Sequence, residues 1–95
     1  MALDTRTRAI LKLPQVSTSR VRELQWGMDW YAKQYGEAAL QESLAWKLYD
    51  DAIENNAPVE EKNDIFIACK LFKANRIAAY HQWQECKRQY LELLN

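Results

Sequence analysis

Glycine and proline are almost missing from this chain: Gly27, Gly36, Pro14 and Pro58 are the only ones in 95 residues. A sandwich or barrel of that length needs turn residues at close intervals, so an all-β fold is excluded and a helical one favoured. Two glycines also cannot build a phosphate-cradling loop. Histidine occurs once, at His81, which removes any His-rich metal site. Net charge is missing too, because 13 basic residues cancel 13 acidic ones. The total therefore exerts no pull toward nucleic acid or an anionic bilayer. No apolar run approaches the ~18 residues of a membrane span, and MALDTRTRAI has no apolar core of signal-peptide length. A cytoplasmic location without a membrane partner is the expectation. The two cysteines, Cys69 and Cys86, lie in one helical stretch, on the order of 25 Å apart along its axis at ~1.5 Å per residue. That is too far for a disulfide, so reduced thiols are expected.

What the chain does have is apolar and aromatic side chains. Hydrophobic residues make up 48% of it, with four Trp, five Tyr and two Phe, the composition of an ordered protein and not of a disordered one. The charges are segregated although they cancel. Arg6, Arg8, Lys12, Arg20 and Arg22 face only Asp4 in the first stretch, and acids dominate from Glu37 to Asp64. The last third is basic again through Lys70, Lys73, Arg76, Lys87 and Arg88.

Taken in order, Asp4 can cap a short helix that Pro14 stops. Ser17 then reads as an N-cap with Val16 and Val21 in staple positions, and Gly36 as the glycine that ends the helix. Gly27 costs that helix about 1 kcal/mol, tolerable where a neighbouring helix uses the missing side chain. Val21, Leu24, Met28, Tyr31, Ala32 and Tyr35 form one stripe, while Trp26 and Trp30 fall on the opposite side beside Arg22 and Lys33. A further helix over Glu37 to Ile53 is apolar around most of its circumference, as a helix packed on two sides would be. ENNAPVEEKND closes it, and the last helix begins at Pro58 or after Asp64. From Ile65 to Leu94 the stripe Ile65, Cys69, Phe72, Ala79, Trp83, Cys86, Tyr90 and Leu94 faces inward, with Arg76 as its one charged member. Ile67, Leu71 and Ala78 add a second apolar side in the first half only, which reads as a segment buried all round. No repeat of solenoid period is present.

These patterns predict an all-α protein: a small antiparallel bundle of three main helices over residues 17–95, preceded by a basic arm or short helix over 1–16, with the C-terminal helix the longest. No catalytic residue, metal ligand or cofactor is assigned. Asp51 with Glu54, and Glu61 with Asp64, superficially resemble the paired carboxylates of all-α nucleotide pyrophosphohydrolases. A Pro-containing loop much shorter than a helix separates the pairs, however, and the other acids of such a site are missing. The expected function is a non-enzymatic interaction module, a small subunit, adaptor or inhibitor acting as a homo-oligomer. Arg22, Trp26, Trp30 and Lys33 are its candidate partner-binding residues, since Trp and Arg dominate interface hot spots; a small-ligand pocket is the weakest reading of that patch. The alternative is an accessory protein that grips a nucleic-acid backbone with Lys70, Lys73, Arg76, His81, Lys87 and Arg88.

Overall fold

The computed structural model describes residues 15–95, with side chains from Ser19 onward. It is a hairpin of two long helices, α1 (Gln15–Glu54, 40 residues) and α2 (Val59–Leu94, 36 residues). The expected three-helix bundle is therefore corrected to a pair, and α1, not the C-terminal helix, is the longer. The helix expected over Asp4 to Leu13 lies outside the described residues. Ser17 sits inside α1, not at its cap. The described residues form a rod only 18 and 16 Å across its two short axes, with both helices running along its length.

The correction turns on Gly36. No glycine among the described residues adopts a positive φ, and α1 runs straight through this position. A glycine ends a helix when the chain needs a left-handed residue, and here the inward stripe continues unbroken on both sides of it. With nothing within 4 Å of where its Cβ would stand, Gly36→Ala should raise stability by about 0.5–1 kcal/mol through helix propensity alone. Thermal melts followed by circular dichroism would show this; a lower melting temperature would mean that the chain bends at Gly36 after all.

The true stop lies at Asn56, whose φ is 52°. Its amide donates to Ile53 O at 3.2 Å and that of Ala57 to Ala52 O at 2.9 Å, the paired bonds of a Schellman motif with asparagine in the left-handed seat. Pro58 then occupies the N-cap of α2, and the Lys62 amide donates to its carbonyl at 3.1 Å. The last helix thus starts directly after Pro58, with Glu60 and Glu61 in a first turn that favours negative charge.

A seven-residue rhythm holds the two helices together. On α1, Leu24, Tyr31, Ala38, Ala45 and Ala52 recur at that interval, alternating with Val21, Met28, Tyr35, Glu42 and Tyr49. On α2, Ile65, Phe72, Ala79, Cys86 and Leu93 alternate with Lys62, Cys69, Arg76, Trp83 and Tyr90. These positions are buried or half-buried, except Tyr35, which is 37% exposed. They are the inward positions of a heptad, and the hairpin is an antiparallel two-helix coiled coil. Its layers run in opposite directions along the two helices: Arg20 donates to Gln89, Glu42 meets Arg76, and Trp46 meets Phe66.

The seam is built from small residues. The buried apolar residues among those described are Leu24, Ala38, Ala45, Ala52, Cys69 and Ala79, and alanines at this spacing let the helices approach closely. Closest of all is Gly27, where a Cβ would stand 3.0 Å from Cys86 Sγ. The missing side chain is what gives α2 room there. Burial pushes the thiol pKa of Cys69, which has no exposed surface, upward.

Candidate interaction faces

Each helix of a two-helix coiled coil has one flank on either side of the seam and a back that faces away from its partner. One flank is lined by aromatic rings, with a shallow groove of about 260 Å³ between Ala32, Tyr35, Tyr80 and Trp83. Trp46 and Tyr49 from α1 surround Phe66 of α2 at centroid distances of 6.0 and 5.8 Å. Further along, Tyr35 meets Tyr80 at 6.0 Å, and Tyr80 lies beside Trp83. Two lysines finish this surface: Lys70 Nζ stands 5.1 Å from the Phe66 ring and Lys87 Nζ 5.0 Å from the Trp83 ring, cations over negative ring faces.

Within the seam, one layer is ionic. Arg76 Nε donates to Glu42 Oε2 at 2.9 Å, with the two side chains 29% and 15% exposed. The guanidinium's hydrogen bond holds the Glu42 carboxyl below the usual carboxylate range, and the same bond raises Arg76. On the back of α2, Arg88 is bonded to Glu85 and Glu92. That contact, with a further hydrogen bond from Gln89, lowers Glu85 to about 2.

The opposite flank, near the turn, is open and aliphatic. Leu44 and Leu48 of α1, with Gln41, line a shallow groove of about 280 Å³ against Ile65, Ala68 and Phe72 of α2. Leu48, which lines it, is more than half exposed, as are Ile67 and Leu71 on the back of α2. The segment Ile65–Ala79 is therefore not buried all round, because only one helix packs on it.

The back of α1 carries the candidate partner-binding residues. Trp26 and Trp30 stack on each other at 5.6 Å with an interplanar angle of 7°, and they are 66% and 44% exposed. No helix covers them among the described residues, so the two rings stand exposed on one face of the hairpin. Arg22 and Lys33 are exposed to either side. The same back continues through Glu37 to Leu40 and Leu44, 61% and 54% exposed. That continuation lies beyond the four residues chosen from sequence. The expected break at Gly36 hid it, whereas following the seven-residue interval through the glycine would have found it.

The six candidate nucleic-acid residues do not form one free basic face. Arg76 points into the seam, Arg88 is held by two glutamates, and Lys70 and Lys87 sit over aromatic rings. Lys73 and His81 are exposed. Among the described residues, no three or more His, Cys, Asp or Glu side chains converge as a metal site would need, and Asp51, Glu54, Glu61 and Asp64 are all exposed around the turn. No helix among the described residues is long and apolar enough to cross a membrane.

Comparison with known proteins adds no identity. No protein-family model, curated protein or solved structure matches the chain.

Proposed function

We propose that this chain is a non-enzymatic protein–protein interaction module, a small helical subunit that works by docking its exposed apolar back against another helix and that self-associates. The observation that carries this reading is the imbalance between the seam and the outer surface. The seam buries mainly alanine, while Trp26, Leu40, Leu44, Leu48, Ile67 and Leu71 are each more than half exposed. Apolar burial contributes about 25 cal/mol per Å², so covering these exposed side chains against a partner would be favourable. Along the back of α1 the exposed Trp26, Trp30, Leu40 and Leu44 follow one another at helical spacing, and apolar surface of this kind marks interaction sites.

Size-exclusion chromatography with light scattering, combined with acrylamide quenching of tryptophan, tests the proposal. The expected result is a mass above that of one chain, with quenching that rises on dilution as Trp26 and Trp30 become free. A strict monomer that binds no protein would overturn it. Backbone binding to nucleic acid is the second reading; it has less support here because four of its six residues are engaged within the chain.

A further inference from the structure

The back of α1 has a sequence order that reads as its own complement. At the seven-residue spacing of the two outermost positions, the side chains run Glu23, Trp26, Trp30, Lys33, then Glu37, Leu40, Leu44, Lys47. All of them are exposed. Reversed, the list pairs an acid with a base wherever it has a charge, and a tryptophan with a leucine wherever it is apolar.

We infer that a second copy of this chain covers this seam, with the two α1 helices antiparallel and a two-fold axis passing beside residue 35. In that register every position meets the one equally far beyond residue 35 in the other copy. Lys33 meets Glu37, Trp30 meets Leu40, Trp26 meets Leu44, and Glu23 meets Lys47, each pair occurring twice as a two-fold interface requires. The layers alternate between the two outer positions, as the layers of an antiparallel coiled coil do. The assembly is then four helices, with the two copies of α1 in the middle, each packed on both its faces.

Charge selects this orientation over the parallel one. A parallel pair would set Lys33 against Lys33 and Glu37 against Glu37, and would bring two acidic turn ends together, each with Asp50, Asp51, Glu54, Glu60, Glu61 and Asp64. The antiparallel pair instead lays that acidic end beside Arg20 and Arg22 of the other copy. Like charges opposed across an interface suppress the wrong arrangement. Among the described residues, no ion pair engages Lys33, Glu37 or Lys47 within the chain.

This inference rests on the interaction reading above, and zero-length carbodiimide cross-linking of the unmodified protein, followed by peptide mass spectrometry of the dimer band, separates the two. Glu23 and Lys47 lie roughly 36 Å apart on one helix at ~1.5 Å per residue, so a bond between them can form only between copies. That cross-link is the expected result. A dimer band joined only at other pairs would overturn the register while leaving the interaction module standing; a chain that is monomeric at all concentrations would overturn the register, and one that in addition binds no protein would overturn both. Charge reversal gives an independent check. Lys33→Glu and Glu37→Lys should each weaken self-association at least about tenfold, and an equimolar mixture of the two should restore it. Repulsion within one helix would not be relieved by mixing, and a parallel pair would not be weakened by either variant alone, so failure of either limb would overturn the register.

Discussion

Alanine at both Trp26 and Trp30 is expected to weaken self-association at least about a hundredfold while leaving helix content unchanged. The two rings stack on each other, not on α2, so their removal takes nothing from the seam that holds the hairpin. Alanine is also the better helix former. At an interface, a buried tryptophan commonly contributes 2 kcal/mol or more, about thirtyfold each, and the two are not additive because they share one patch. Sedimentation equilibrium on the wild type and the double variant, with far-ultraviolet circular dichroism alongside, gives both readouts. An unchanged association constant would move the interface elsewhere, with the back of α2 at Ile67 and Leu71 as the next surface to substitute.

Leu24→Ala should have the opposite signature, a loss of hairpin stability of about 2–4 kcal/mol. Leu24 is 3% exposed and is the one large aliphatic side chain among the fully buried positions; around it the seam narrows to Gly27 and Cys86. The other buried residues among those described are Cys69 and four alanines, which have little to truncate. For a domain of this size each kcal/mol moves the melting midpoint by ~4–8 °C, so a fall of ~10 °C or more is expected. The melts must be compared at one protein concentration, since association with a second copy stabilises by mass action. A shift of only a degree or two would show that the open end of the hairpin is already frayed and that Leu24 is not held.

Much of this arrangement was legible in the residues, and the failures have particular causes. The inward stripe of the last helix is visible as spacing alone from Ile65 to Tyr90, and so is the displacement of Trp26 and Trp30 to the far side of the stripe Val21 to Tyr35. At the end of the last helix, however, Leu93 takes the seam position and Leu94, expected inward, is 59% exposed. The number of helices was not legible, because Gly36 satisfies the local rule for a helix end. What decides between a cap and a tolerated glycine is whether the next residues continue the same face, and Ala38 and Glu42 do. The heptad was hard to see for a related reason. Three of its layers on α1 are alanine, and another is Glu42, whose partner Arg76 lies 34 residues away in sequence. A charged residue in a seam reads as an interruption until its counter-ion is known. The position of the outer seam follows from the same rhythm; its coverage by a second copy does not, and rests on the complementarity argued above.

The Schellman turn at Asn56 also bears on how the chain reaches this state. Beside the turn, the contacts between the helices join residues close in sequence, such as Tyr49 and Phe66, whereas at the open end they join residues as distant as Arg20 and Gln89, 69 positions apart. Loop closure is entropically cheapest for the nearest pairs, so the hairpin is expected to close as a zipper from Asn56 outward, each aligned layer shortening the loop the next must close. Substitutions at the turn should then slow folding more than equally destabilising ones at Arg20 or Gln89, a difference that stopped-flow folding rates would show.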